Sequence, residues 1–112
     1  KTYSRNIDMK KEIKNIEGSV RDIKAILRRS REAEKTGGQR EILEAHWEVG
    51  KYLTEASPNG VNVRLVRHLA REFSQPTVYF HTAVKFYQYH PRVADIDDSV
   101  TWAEYKSLLN LA

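Results

Sequence analysis

The chain has 112 residues, 40% of them hydrophobic and 30% charged, with a formal net charge of +4 and no cysteine. That length supports one domain with a modest core, and the absence of cysteine excludes disulfides and thiolate metal sites. No apolar run approaches the ~18–20 residues of a membrane span and no secretory signal is present, so a cytoplasmic protein without a membrane partner is expected.

The first residue is Lys1 rather than Met, and the chain is expected to be a processed product or a piece of something longer. Ser4 or Asn6 is placed to cap the first helix. Met9, Ile13, Ile16, Val20, Ile23 and Leu27 then recur in alternating steps of four and three, a heptad seam. The pattern predicts one helix over residues 1–35, its regular part about 25–30 residues and ~40 Å long, ending near Arg31. Gly18 lies inside it and costs about 1 kcal/mol relative to Ala. A seam of this length is expected to pack along the same domain or to pair with a second chain, and the second option makes those six residues a homodimer surface.

Gly37-Gly38 marks a break. A second helix is expected from about Gln39 to Ala56, with Ile42, Leu43, His46, Trp47, Val49, Gly50 and Leu53 as its apolar face. Trp47 and Gly50 share one side, where a bare backbone beside a large indole lets another helix approach. His46 is expected to be a packed or half-exposed imidazole rather than a catalytic one. Ser57-Pro58-Asn59-Gly60 is a turn by composition.

From Val63 to Tyr89 the residues outline a helix-turn-helix. Leu65, Leu69 and Phe73 stripe the first helix, Phe80, Ala83, Val84 and Tyr87 the second, and Pro76 fits the first position of that second helix. Between Val61 and Arg92 there are five basic residues (Arg64, Arg67, Arg71, Lys85 and Arg92) and one acid, Glu72, so this stretch carries a net +4, the formal charge of the whole chain. Arg64, Arg67 and Arg71 stand at i, i+3, i+7, a basic face of the kind a polyanion binder presents. If the second helix enters a major groove, Gln75, Thr77, Tyr79, His81 and Lys85 are the candidates for base edges, and Tyr79 and His81 for stacking on unpaired bases. The competing expectation is a second helix buried under the first helix of the chain.

His90-Pro91 stops that helix. The acidic segment with Asp95, Asp97 and Asp98 lacks the ligand spacing of a calcium loop and is expected to be a solvated loop. Thr101-Trp102-Ala103-Glu104 is a capping box that opens a last helix striped by Trp102, Tyr105, Leu108 and Leu109. The reading is all-α, about five helices, in one domain: a long first helix, then a core over residues 39–111.

Catalysis finds no support. The serines sit at expected caps, turns and solvated faces, so no nucleophile is assembled with a base and an orienting group. The four histidines form neither HxxxH nor HExxH, and no phosphate-binding glycine loop is present. No catalytic residue, metal ligand or cofactor is therefore assigned.

Three local patterns carry a resemblance. Trp47-Glu48-Val49-Gly50-Lys51-Tyr52-Leu53 is similar to W-x-[IV]-G-[RK]-x-[IL]. Leu65, Leu69 and Phe73 followed by Phe86-Tyr87 and Pro91 are similar to L-x3-L-x3-F … F-Y-x3-P. Thr101-Trp102 with Tyr105 and Leu108-Leu109 is similar to S-W-x2-[YL]-x2-L-L. In this order, over about residues 16–111, the chain resembles the N-terminal helical domain of YhcG-like proteins, which precedes a PD-(D/E)XK nuclease domain. The turn between the paired helices is shorter here than that family's glycine-containing one, and the nuclease half is absent. The resemblance implies a restriction-like or mobile-DNA setting and places no catalytic residue in this segment. The function expected is a non-catalytic DNA-binding or targeting module, the front part of or partner to a nuclease-type protein. The alternative is a protein–protein interaction domain in which the long helix dimerises and the basic stretch is incidental.

Overall fold

A computed structural model of the chain describes the backbone of residues 2–57 and 59–111 and the side chains of residues 15–57 and 59–111. Among the described residues there are five α-helices, a short 3-10 turn and no strand: α1 (Thr2–Thr36), α2 (Gln39–Ala56), α3 (Val63–Glu72), α4 (Thr77–Tyr89), the turn Val93–Asp95, and α5 (Trp102–Leu111). The all-α expectation holds. None of these helices is long and apolar enough to cross a membrane.

The first helix runs to Thr36, past the end of the heptad seam near Arg31 and up to the Gly37-Gly38 break. Gly37 then takes φ 74°, which glycine adopts without a Cβ clash, and the Gly38 N–H closes on Ala33 O at 2.9 Å. The chain reverses there, and α2 lies antiparallel along α1: Arg29 pairs with Glu48 at 2.6 Å, and further along the Tyr52 hydroxyl donates to Asp22 at 3.1 Å and lies 3.3 Å from Ser19 Oγ.

This hairpin changes the meaning of the heptad seam. Ile23 is fully buried and Ile16, Val20 and Leu27 pack on the same core, with Ser19, Ile26, Ser30 and Ala33 buried beside them. From Ile16 onward the seam thus packs on the chain's own core, with Ile16, Val20 and Leu27 left half-buried. The physical reason is connectivity: helices tethered by short turns reach α1 at a far higher effective concentration than a second molecule does. Met9 and Ile13 lie outside the residues whose side chains are described.

At the contact between α2 and α4, Gly50 permits the close approach expected of it. A Cβ built on Gly50 would stand 1.9 Å from Ala83 O and 2.6 Å from Ala83 C. Trp47 frames this crossing, its indole N–H donating to His90 O at 2.6 Å and its ring set edge-on to Tyr87 at 5.3 Å.

Two apolar clusters result. Ile23, Ala45, Val49, Leu53, Leu65, Leu69 and Phe80 centre the first, among α1 to α4; Leu43, Trp47, Phe86, Ile96, Tyr105 and Leu109 form the second, among α2, α4 and α5. Trp102 packs on both. Phe80 and Phe86 are fully buried, each worth about 1.5–3 kcal/mol relative to an exposed ring. Among the described residues, two helix starts have side-chain caps. Asn62 Oδ1 accepts from the N–H groups of Arg64 (3.0 Å) and Leu65 (3.2 Å). At α5 the capping box forms as expected: Glu104 N–H reaches Thr101 Oγ1 at 3.2 Å and Thr101 N–H reaches Glu104 Oε1 at 3.1 Å. The bonds that Thr101 donates hold the Glu104 carboxyl below its usual range, the backbone N–H foremost and the hydroxyl after it.

Candidate nucleic-acid interface

The α3–α4 pair is joined by residues 73–76 in a compact turn. Ser74 takes φ 52°, the left-handed conformation that glycine usually supplies after a helix. Gln75 N–H then reaches Ala70 O at 2.9 Å and Ser74 N–H reaches Arg71 O at 3.4 Å, the two crossed bonds of a Schellman ending. Pro76, expected as the first helical residue, instead caps α4 in an extended conformation with ψ 149°. The left-handed Ser74 has already redirected the chain, so Pro76 is left in the non-helical entry to the next helix.

On α3, Leu65, Val66 and Leu69 are buried and Phe73 is half-buried behind them. Arg64, Arg67 and Arg71 are all exposed on the opposite side, as the 3.6-residue period requires. The three guanidinium groups thus lie on one outward face.

On α4 the sequence candidates separate. Thr77 and His81 are exposed, as is Gln75 in the turn before it. Lys85 is half-buried, and its Nζ donates to Leu109 O at 3.4 Å, near the end of α5. Thr82 Oγ1 donates to Asn110 Oδ1 at 3.0 Å beside it, so α5 holds this edge of α4.

Tyr79 does not belong with the base-contact candidates. It is buried, shares a 2.7 Å hydrogen bond with His46 Nδ1, and meets Phe80 and Trp102 edge-on. The helical period of α4 points to a single core stripe, whereas α4 is gripped by α2, α3 and α5, so its buried arc is wider and takes in Tyr79, Thr82 and Phe86. What remains outward is Thr77, Val78, His81, Gln88 and Tyr89.

His46 is buried and stacked on Trp102, ring centroids 4.3 Å apart and 13° from parallel. Burial, with Lys106 adding a smaller push, lowers its pKa to about 4. The imidazole is therefore neutral at physiological pH. Burial raises the Tyr79 hydroxyl above its ordinary range, so this pair is a neutral polar bridge within the core.

A further basic feature lies on α1, hidden in the total charge of the chain. Arg21, Lys24, Arg28, Arg31 and Lys35 follow one another at steps of three and four on α1, one position after the apolar seam, and all are exposed. Residues 2–36 hold ten Lys/Arg against six Asp/Glu, a net +4 that the acidic segments 37–60 and 93–112 offset in the total for the chain. The signal therefore shows once charge is summed element by element, and the period of these five residues sets them on one face. No cluster of three or more metal-ligating side chains occurs among the described residues. Compared with protein-family models, curated proteins and solved structures, the chain matches none.

Proposed function

We propose that this chain is a non-catalytic DNA-binding or targeting module, acting in the cytoplasm as the front part of, or partner to, a PD-(D/E)XK nuclease-type protein. The nuclease association rests on the three sequence patterns that resemble YhcG-like domains. The DNA-binding part rests on one observation: Arg64, Arg67 and Arg71 all stand exposed on the α3 face opposite its buried residues.

In a helix-turn-helix the first helix meets the backbone while early residues of the second meet base edges. On that docking the three arginines contact phosphates, which position the protein without reading sequence. Gln75, Thr77 and His81 are left to face the groove, and Gln75 is suited to a bidentate contact with adenine.

The test is the triple variant Arg64→Ala, Arg67→Ala, Arg71→Ala, titrated against mixed-sequence duplexes in ~50 mM salt, where phosphate contacts weigh most. Affinity is expected to fall to a similar extent for every sequence. A triple variant that binds as tightly as the parent removes the reading.

A further inference from the structure

We infer that a groove between α1 and the α3–α4 turn is a second nucleic-acid site, one that takes an unpaired strand. The groove has two joined parts of about 430 and 310 Å³, which share Leu27, Arg31 and Phe73 as lining. One wall is the cationic side of α1: Lys24, Arg28 and Arg31, at i, i+4, i+7 and all exposed. Among the described residues none of these three has an acidic partner within ion-pair distance. The floor is apolar, made by Val20, Leu27 and Phe73, and the far end reaches Trp102 and Lys106. Two carboxylates also line it, Glu72 beside Phe73 and Glu34 beside Arg31, so cations outnumber acids along its length.

The chemistry selects the partner. Three cations spread over about 10 Å of helix rise suit a chain of phosphates better than a single small anion. Phe73 is half-buried and, unlike the rings around His46, it has no aromatic partner among the described residues. A half-exposed ring on an apolar floor beside a row of cations is the arrangement that binds single strands, with the backbone tracked by charge and a base stacked on the ring. A duplex keeps its base faces inside its own stack, so only an unpaired strand offers Phe73 a base. None of Arg64, Arg67 and Arg71 lines this groove, although Gln75 borders its far part.

Fluorescence anisotropy with the whole chain decides the matter, using a short labelled oligothymidylate and a mixed-sequence duplex in ~50 mM salt. The parent is expected to bind the oligothymidylate. Phe73→Leu, which keeps apolar contact with the core but removes the aromatic face, is expected to weaken that binding roughly 5- to 100-fold and to leave duplex binding unchanged. Arg28→Ala with Arg31→Ala, both exposed, is expected to do the same and decides the question should the Phe73 variant fail to fold by circular dichroism. The α3 triple variant is expected to keep its oligothymidylate affinity. A parent that ignores the oligothymidylate, or groove variants that bind it like the parent, overturns this inference. A parent that binds the oligothymidylate but no duplex overturns the α3 reading instead.

Discussion

His46 is the residue whose surroundings make the sharpest quantitative demand. Its imidazole is held neutral between Trp102 and Tyr79, with a folded pKa of about 4 against 6.5 in an unconstrained chain. Between those values the unfolded state binds the extra proton, so stability rises with pH across that window and is lost as pH falls through it. Unfolding free energy is expected to be lower at pH 5 than at pH 7 by about 2 kcal/mol from this group. His46→Gln keeps a partner for the Tyr79 hydroxyl and does not titrate. Urea unfolding at both pH values checks it: the variant is expected to lose most of that difference, and an equal pH dependence in the two proteins refutes the assignment. That His46 is packed rather than catalytic is legible in the sequence, from its place on the apolar face of α2. Its partner Tyr79, 33 positions away, reads as outward there, because the period of α4 alone does not reveal how many neighbours surround it.

Among the elements, α2 and α4 approach closely, and Gly50 is the reason they can. Gly50→Ala places a Cβ against the Ala83 carbonyl, a backbone group that cannot rotate away. The two helices must part, at a cost expected near the top of the usual overpacking range, about 3 kcal/mol. The check is a lower urea midpoint at unchanged slope; a midpoint within error of the parent shows that the two helices are not locked at this crossing. The α3–α4 turn offers the opposite case. Ser74 holds φ 52°, a conformation that costs an L-residue roughly 1–2 kcal/mol. Ser74→Gly is therefore expected to be neutral or to stabilise by up to about 1 kcal/mol after glycine's own entropy cost. A clear loss of stability would show that the Ser74 side chain contributes to the turn.

At the scale of the whole molecule, the charge distribution governs association. A phosphate contact contributes about −0.9 to the slope of log affinity against log salt on B-form DNA, so removing Arg64, Arg67 and Arg71 together is expected to flatten the duplex slope by about 3. Affinities measured across a salt series check this, and an unchanged slope places the contacts elsewhere. Helix number, the break at Gly37, the capping box at Thr101 and the close approach at Gly50 were all legible in the sequence, because each depends on residues near one another in the chain or on a backbone property of one residue. The outward arginine row of α3 was legible for the same reason, since helical period fixes a face once the opposite face is apolar. The tertiary structure alone decided what covers each face. It packed the α1 seam, from Ile16 onward, on the chain's own core, because short turns hold α2 and α3 close to it. It closed Tyr79 in against His46, because three helices surround α4. And it set the cations of α1 beside the half-exposed Phe73, because residues far apart in the chain share a groove only after the helices have packed.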